Sequence, residues 1–249
     1  MIDAIAVLSD VHGNLWALGE VLADVRRRGI ERVVNLGDSL YGPLDPSGTA
    51  ERLMNLGPCA TTIRGNQDRI VGDPNASEAA NRSLAFTRRE LLPEQRAWLS
   101  ALPATGRVSG GVYLCHGTPK SDEVYLLEAV SEAAVTLRPS QEIERLLEGV
   151  SELLILCGHT HIPRCVAISG GRLTVNPGSV GLPAYADDFP HPHSMEAGSP
   201  HARYAVVWKG ACGWNVELHQ VAYDWNAASR RARENGREDW AQWLLSGRG

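Results

Sequence analysis

The feature that most constrains this chain is a repeated pattern in which a short apolar run ends in an acidic, amide or imidazole side chain. The runs are "IAVLS", "VVNLG", "TTIRG", "VYLC" and "LLILCG". The segment "NLWALGEVLADVRRRG" follows the first run and repeats its leucines and valines at helical spacing. Apolar strands that alternate with such helices predict a parallel sheet with right-handed crossover connections.

The later part of the chain predicts a mixture of helices and hairpins. Residues 76–103 have a helical pattern that Pro93 divides, and helices are also predicted over about 122–136 and 140–148. The stretches "RCVAISGGRLTVNPGS" and "ARYAVVWKGACGWNVELHQVAYD" predict two hairpins. The C-terminal half of the sheet is therefore expected to be antiparallel.

The end of the chain predicts a long loop and one more helix. A polar loop is expected over 183–203, and a polar helix over about 226–235 closes the chain. Internal repeats, linkers and low-complexity tracts are absent from the sequence. We therefore expect one α/β domain over 1–249.

Seven polar side chains follow the apolar runs at equivalent positions: Asp10, His12, Asp38, Asn66, His116, His159 and His161. The ligand crevice of an open α/β sheet lies beyond the carboxyl ends of its strands, so these side chains are expected to meet at one edge. A lone Asp after a strand usually forms a turn, and an isolated His is usually a surface or core residue. Turn chemistry does not explain the whole set, which predicts a common site.

The mixture of carboxylate, imidazole and amide groups predicts which ions this site would hold. Such ligands suit Mn, Fe, Co, Ni or Zn, and they do not suit Ca or a thiolate zinc site. The set is larger than one tetrahedral or octahedral protein site needs. Two metal ions that share a ligand are therefore expected, with the central carboxylate Asp38 as the natural bridge.

Composition excludes several classes of protein. Apolar residues make up 43% and charged residues 21%, which is ordinary for a globular protein. The net charge of −5 gives no sign of the basic face that nucleic-acid binders usually carry. No apolar run approaches the length of about 20 residues that spans a bilayer. The five cysteines lack CxxC spacing, which favours a reducing, cytoplasmic setting.

The ordered blocks "SDVHGN", "NLGDSL", "RGNQD", "LCHG" and "CGHTH" closely resemble those of the calcineurin-like metallophosphoesterases. The resemblance covers about residues 4–225. It implies a four-layer sandwich of two mixed β-sheets flanked by α-helices. "NPGSVG" and the short "GDSLYGP" loop resemble the small prokaryotic phosphodiesterase branch, whereas the longer D-R-G loop and the Glu of the protein Ser/Thr phosphatases are missing.

The resemblance also implies how the seven residues divide between two ions. One ion would take Asp10, His12, Asp38 and His161, and the other would take Asp38, Asn66, His116 and His159. Two divalent transition-metal ions per chain are expected, with Mn first. A hydroxide that bridges the ions would attack phosphorus while the cations neutralise the developing charge.

Gln67 departs from most of the family, in which this position is a His thought to protonate the leaving oxygen. An amide can donate a hydrogen bond but cannot transfer a proton at ordinary pH. With Asp38 and Asn66, Gln67 completes the candidate catalytic residues. Because general acid catalysis matters least for good leaving groups, this residue favours phosphodiesters over alkyl monoesters.

Two other functions remain open at this stage. One is a phosphomonoesterase or protein phosphatase. The other is a metal-binding scaffold with weak or no catalysis, because the same fold also serves as a protein-binding module in the retromer complex. Position 67 varies within the small prokaryotic branch too, so Gln67 alone does not indicate an inactive protein.

The loop over 183–203 contributes the candidate substrate contacts His191, His193 and Arg203. It is either a flexible surface excursion or a lid whose His191, His193 or His201 replaces the missing acid. Arg203 either contacts phosphate or forms a structural ion pair. The expected partner is a small phosphorylated substrate such as a nucleotide-type diester, with no membrane or nucleic acid, and homo-oligomer formation is left open.

Overall fold

Two mixed sheets form the centre of the molecule in the computed structural model, which describes residues 3–79 and 81–249. The strands, in chain order, are β1 (Ala4–Leu8), β2 (Arg32–Asn35), β3 (Ala60–Thr62), β4 (Thr105–Val108), β5 (Val112–Cys115), β6 (Glu128–Val130), β7 (Val135–Leu137), β8 (Leu154–Leu156), β9 (Arg164–Ile168), β10 (Arg172–Asn176), β11 (Ala184–Asp187), β12 (His193–Glu196), β13 (Ala202–Gly210) and β14 (Gly213–Val221).

The α-helices surround these sheets. In chain order they are α1 (Leu15–Arg27), α2 (Pro46–Met54), α3 (Asn66–Gly72), α4 (Arg82–Glu90), α5 (Pro93–Ala101), α6 (Ser140–Leu146), α7 (Trp225–Glu234) and α8 (Glu238–Ser246). Within the two described ranges, no helix combines the length and the apolar character that a membrane span requires.

Each large sheet combines a parallel centre with antiparallel strands. The first has the order β14–β13–β1–β2–β3, in which β1, β2 and β3 are parallel and β13 and β14 run antiparallel. The second has the order β4–β5–β8–β10–β9, with β5, β8 and β10 parallel between antiparallel edges. The predicted parallel units and both predicted hairpins are confirmed.

Alternating side chains of β1 show how the layers pack. Ile5 and Val7 point toward the second sheet, where Leu114 and Leu156 belong to the same apolar cluster. Leu8 points the other way, into the core beneath α1 and α2. A third cluster joins α6 to the outer face of the second sheet. The layers are therefore helices, sheet, sheet and helix, as the four-layer sandwich requires.

Helix α1 shows why the first crossover forms. The Asn14 side chain accepts a hydrogen bond from the Ala17 N–H and caps the first turn. Leu18, Val21 and Val25 then form the buried stripe that faces β1 and β13. The helix thereby returns the chain to the start of β2 and leaves the carboxyl end of β1 open for the residues that follow it.

Two of the predicted elements are wrong. Residues 122–136 do not form a helix, because Val130 and Val135 pair across the β6–β7 ribbon and Ser131 closes its turn with Ala134. The segment 183–203 is not a structureless loop. It contains the β11–β12 hairpin, which the buried residue Met195 anchors.

Other predictions near the chain's middle and end are met in part. The helical segment predicted over 76–103 is the pair α4 and α5, which separate before Pro93. Residues 1, 2 and 80, which fall within the predicted domain, lie outside the described ranges. The predicted terminal helix is α7, but α8 follows it and was missed.

Candidate metal centre

The structure brings the seven predicted ligands together at the point where the two sheets meet. Four follow strand ends of the first sheet, with Asp10 and His12 after β1, Asp38 after β2 and Asn66 after β3; the second sheet provides His116 after β5 and the His159–His161 pair after β8. Their carboxylate and imidazole ligand atoms form two groups, each within 4.8 Å: Asp10, His12 and His161, and Asp38, His116 and His159. Asn66 Oδ1 lies 3.1 Å from His116 Nε2 and so belongs to the second group.

The backbone at these residues adopts a conformation that ordinary side chains avoid. Non-glycine residues with positive φ, in the described chain, are all members of the predicted set: Asp10 (55°), His12 (53°), Asp38 (51°), His159 (73°) and His161 (60°). Left-handed backbone costs free energy and persists only where the surroundings impose it, typically at functional sites. The strain therefore supports a common functional role for residues that the sequence singled out by position alone.

Glycines beside the ligands allow the strand ends to approach each other. A Cβ atom on Gly65 would lie 2.1 Å from Asp38 Oδ1, and one on Gly158 would lie 2.0 Å from Ser9 Oγ. Both contacts are far too short for any side chain. The Gly of "RGNQD" and the Gly of "CGHTH" are thus required, because the backbone of each turn lies directly against a side chain of a neighbouring turn.

Each histidine ring of the centre is oriented by a main-chain carbonyl. The pairs are His12 Nδ1 with Tyr41 O (3.0 Å), His116 Nδ1 with Leu36 O (2.9 Å), His159 Nε2 with Glu123 O (3.1 Å) and His161 Nδ1 with Leu182 O (2.7 Å). A carbonyl oxygen only accepts, so the ring nitrogen facing it carries the hydrogen. In the neutral ring the other nitrogen is therefore free to bind a metal ion, as in many metal sites.

The first group holds acceptors that face one another without a donor. His12 Nε2 and His161 Nε2 are 3.1 Å apart, and Asp10 Oδ1, 3.3 Å from His161 Nε2, is buried and has no hydrogen-bond partner. A proton on His12 does not relieve this near neutral pH, because burial lowers the pKa of His12 to about 4. Buried acceptors of this kind are costly unless a cation satisfies them. The residues therefore fit a divalent ion.

The second group holds a proton that an ion would have to displace. Burial disfavours the imidazolium of His116, but the Asp38 carboxylate, 3.4 Å away, outweighs this effect and raises the pKa of His116 to about 10. Burial and then the charge of His116 lower the pKa of His159 to about 4. Because a metal ligand must be deprotonated, ion binding at this group is expected to release a proton.

Asp68 supports the second group and was not predicted from the sequence. Asp68 is buried and accepts hydrogen bonds from the Ser39 and Gly65 N–H groups, which fixes the turns that carry Asp38 and Asn66. Burial, followed by the charge of Asp38, raises the pKa of Asp68 to about 7. The signal for Asp68 was its place directly after Gln67 in the "RGNQD" block.

Arg69 ties the same helix to the loop that orients His159. Its guanidinium forms two hydrogen bonds with Asp122, at 2.8 and 3.0 Å, and a third with Glu123 at 2.8 Å. The carbonyl of Glu123 is the acceptor for His159 Nε2. Helix α3 is therefore joined to a histidine of the other sheet through paired charges.

Gln67 lines a cavity of about 190 Å³ beside the centre. Its main-chain N–H donates to Asp38 Oδ1 at 2.9 Å, while its side-chain Oε1 is buried and has no hydrogen-bond partner. The side chain is thus held at the candidate site by its own backbone. Its amide remains available for a group that enters the cavity.

The structure does not place Arg203 at the cavity, although the sequence offered it as a substrate contact. Arg203 does not face the cavity, because its guanidinium donates to the carbonyls of Ala197, Ser199 and His201 and to the Ser199 hydroxyl. It is 2% exposed, so the phosphate contact predicted for it is wrong and its role is to hold the chain before β13.

The loop histidines lie outside the cavity wall. His191 contributes its carbonyl to His193 Nδ1 at 2.7 Å, and the His201 ring packs against Trp225. His193 comes nearest to the centre, because its Nε2 lies 3.1 Å from the Tyr125 hydroxyl, whose ring packs against His159. These histidines are therefore not brought together with the seven predicted ligands.

The rest of the cavity lining comes from residues that the sequence did not indicate. They are Tyr41, Leu182, Tyr185, Ala186, Asp187, Arg237, Trp240 and Trp243. Trp240 is 3% exposed, and its ring meets His12 edge-on with centroids 5.6 Å apart. Most of this lining belongs to the β11–β12 hairpin and to α8, the two elements that were predicted wrongly or missed.

Comparisons with known proteins agree with this geometry. A family model described as the calcineurin-like phosphoesterase superfamily domain matches residues 4–193. An uncharacterised protein of Methanocaldococcus jannaschii is 26% identical and covers 95% of this chain and 94% of its own. A metallophosphoesterase of Sphaerobacter thermophilus has a crystal structure with a TM-score of 0.76 at 24% identity, covering 98% of this chain and 99% of its own. A hypothetical protein of Pyrococcus horikoshii gives a TM-score of 0.74 at 22% identity, with 98% of each chain covered.

Proposed function

The chain belongs to the calcineurin-like phosphoesterase superfamily, and from this premise we propose that it hydrolyses phosphodiester bonds with two divalent metal ions. The observation that carries the proposal is the pair of adjacent ligand groups, one of which contains the buried and unpartnered Asp10 Oδ1. His116 Nε2 lies 3.9 Å from Asp10 Oδ1, so the two groups are close enough to act on one phosphoryl group.

The seven predicted residues would hold the ions in the division that the family resemblance implies. Asp10, His12 and His161 would bind one ion, and Asn66, His116 and His159 would bind the other, with Asp38 shared. Bound ions supply positive charge that stabilises the phosphoryl oxygens and lowers the pKa of water. We take Mn as the first ion to test, because oxygen and imidazole donors are mixed in both groups.

The preference for diesters rests on the residues around the phosphoryl position. Gln67 can donate a hydrogen bond to a phosphoryl oxygen, but its amide has no proton to give to the leaving oxygen. Burial raises the pKa of Tyr185 in the cavity lining well above its usual value, so this hydroxyl is a poor acid at neutral pH. In the described part of the chain, the imidazoles that line the cavity are all predicted metal ligands.

The leaving oxygen would therefore depart as an anion, and the enzyme would be fastest on esters of acidic alcohols. A nucleotide-type diester is the substrate class we propose, with Asn66 and Gln67 beside the phosphoryl group; its sugar oxygen is a poor leaving group, so a bound ion would have to stabilise the departing oxygen. All five cysteines are free thiols, which suits the cytoplasmic location that we also propose.

The test uses two substrates with the same leaving group. Protein reconstituted with excess Mn is expected to contain two ions per chain and to hydrolyse bis(p-nitrophenyl) phosphate with a higher kcat/KM than p-nitrophenyl phosphate. Because both release p-nitrophenolate, the comparison isolates the diester from the monoester. Fewer than one ion per chain, or a clear preference for the monoester, would contradict the proposal.

A further inference from the structure

The cavity beside the metal centre has two chemically different walls. One wall consists of predicted ligands and Gln67, and the other is rich in aromatic side chains from α8, the hairpin and the turn after β2. The phosphoryl group would lie against the first wall if the proposed function is correct. The aromatic side chains of the second wall are then the part of the lining that is available to the group esterified to phosphorus.

The aromatic side chains of this wall differ in how much of their surface is available. Trp240 is buried against His12, and its indole packs so closely on Gly42 that a Cβ there would lie 2.9 Å from the ring. Trp243, one turn further along α8, is only partly buried and lines the cavity. Trp240 is therefore a fixed support, and Trp243 is the indole with surface left to contact a ligand.

The charged side chains of the wall are unsuited to additional phosphates. Arg237 is held by two hydrogen bonds to Asp239, at 2.9 and 2.6 Å, and stacks on Trp240, so its charge is already paired. Asp187 lines the cavity, and Asp188 beside it is exposed. Carboxylates at the mouth would repel a polyanion.

The volume of the cavity also favours a small ligand over one with several phosphates. At about 190 Å³ the cavity is smaller than the range of about 300–1,000 Å³ typical of pockets that enclose larger ligands. A larger cavity of about 680 Å³, lined by Asp3, Arg28, Arg32, Trp208 and Glu217, lies away from the centre, and its arginines are paired with acids. The small cavity therefore has room for one phosphate and one ring system.

We propose that this cavity selects phosphodiesters with a single phosphate and one uncharged aromatic group, and that Trp243 is the residue that contacts the aromatic ring. The inference rests on the proposed function only for the position of phosphorus. It assigns α8 to substrate selection. It also predicts weaker binding of nucleic-acid strands and dinucleoside polyphosphates than of such a small diester.

Binding of inert phosphonates tests the contact without turnover. Calorimetry on the Mn-loaded protein compares phenylphosphonate with methylphosphonate, which share the charged group and differ in the ring. Stacking on an aromatic side chain is worth about 5- to 150-fold in affinity, so phenylphosphonate is expected to bind at least fivefold more tightly. Equal affinities for the two probes would overturn the proposal.

Three variants locate the effect. Trp243→Ala is expected to reduce the phenyl-to-methyl ratio to about twofold or less, whereas Trp243→Phe keeps most of it because an aromatic face remains. Gln242→Ala is the matched control, since Gln242 is exposed on the same helix and does not line this cavity. An unchanged ratio in Trp243→Ala, or an equal loss in Gln242→Ala, would also overturn the proposal.

A second pair of probes identifies the source of the ring. If adenosine monophosphate binds more tightly than ribose 5-phosphate in a Trp243-dependent way, the ring is a nucleobase; if only the phenyl ratio depends on Trp243, the ligand is an aryl ester. A short oligothymidylate that binds more tightly than both would contradict the single-phosphate part of the proposal. The phosphonate ratio stands even if no ester is hydrolysed, so failure of this inference is distinguishable from failure of the proposed function.

Discussion

Asp10 and Asp24 are both enclosed carboxylates near the first sheet, yet their surroundings are opposite. Asp24, near the end of α1, accepts hydrogen bonds from the Tyr204 hydroxyl, Arg27 and Arg28, and its side chain is 16% exposed. Asp10, after β1, accepts one hydrogen bond from the His159 N–H at 3.1 Å and leaves Oδ1 without a donor.

The difference teaches how to separate a structural acid from a functional one. The Asp24 carboxylate already has its hydrogen-bond donors in the folded protein, because a hydroxyl and two guanidinium groups donate to it. Asp10 lies in strained backbone beside His161, whose ring hydrogen is on the nitrogen that faces the Leu182 carbonyl, so a cation would complete the environment of Asp10 Oδ1. A buried carboxylate oxygen without a donor marks the centre more reliably than the pKa of the carboxyl group does.

The largest expected effect comes from removing Asp38, the carboxylate that the two proposed ions would share. Asp38→Asn is expected to lower kcat for an aryl diester by at least about 10³-fold, because loss of one charge-stabilising group typically costs about 10²–10³ and Asp38 would serve both ions. Metal content should fall below two ions per chain while the far-UV circular dichroism is retained. Asp24→Asn is the control and should keep full metal content. Loss of metal from that variant would contradict the assignment of Asp24 as a structural acid.

The next effect concerns Gln67 and depends on the leaving group. Gln67→His is expected to speed esters of weakly acidic alcohols by up to about 10²–10⁴-fold and activated aryl esters much less, as general acid catalysis does. The measurement is log kcat against leaving-group pKa for both forms. A flat plot for the native protein would mean that another residue already supplies the proton, and His193, through Tyr125, is the first to test.

A smaller effect is expected at Asp24, whose hydrogen-bond donors are all present in the folded protein. Burial opposes ionisation of Asp24, but the Tyr204 and Arg28 hydrogen bonds outweigh it and lower the pKa to about 2. A folded pKa below the unfolded value of about 3.9 means that the contribution is present above pH 4 and is lost as pH falls toward 2. Tyr204→Phe should therefore reduce the free energy of unfolding by about 1–2 kcal/mol at pH 7 and by less near pH 2.

Denaturant unfolding at the two pH values checks this prediction. Diester turnover of Tyr204→Phe at neutral pH should match the native protein, since Asp24 does not contact the centre. An equal loss of stability at both pH values would mean that the hydroxyl contributes through packing rather than through the carboxylate.

The smallest effect is expected from the loop histidines. Replacing His191, His193 and His201 together by Ala should leave two ions per chain, because none of them belongs to either ligand group. Metal analysis after reconstitution is the measurement. Loss of an ion would show that the ligand set is incomplete.

The residues that the sequence singled out lie together in the structure, because the signal for their positions is local. Asp10, Asp38 and His116 each follow a strand whose apolar run is recognisable, and parallel strands in one sheet place their carboxyl ends together. The prediction for Arg203 failed, since a guanidinium beside a loop has no sequence signature that distinguishes phosphate from carbonyl partners. The main-chain carbonyls that orient the histidine rings could not be predicted from the sequence either, because their positions depend on the direction of the backbone.

The cavity wall was missed for a different physical reason. Helix α8 is short and follows a break at Gly236, and its buried residues Trp240 and Leu244 are too few to show helical periodicity. The β11–β12 hairpin has four-residue strands with one buried residue each, too short a pattern to distinguish them from a loop. Elements that cover a site need little core of their own, so pattern analysis finds the centre more easily than its surroundings.

The meeting of the two sheets at the ligands also determines the order of assembly. His12 and His161 are 149 positions apart, and closing a flexible loop of that length costs about 4 kcal/mol in chain entropy. No ligand group can therefore form before both sheets are folded and packed. An ion held between them would be a cross-link between distant parts of the chain, and its release would remove that cross-link.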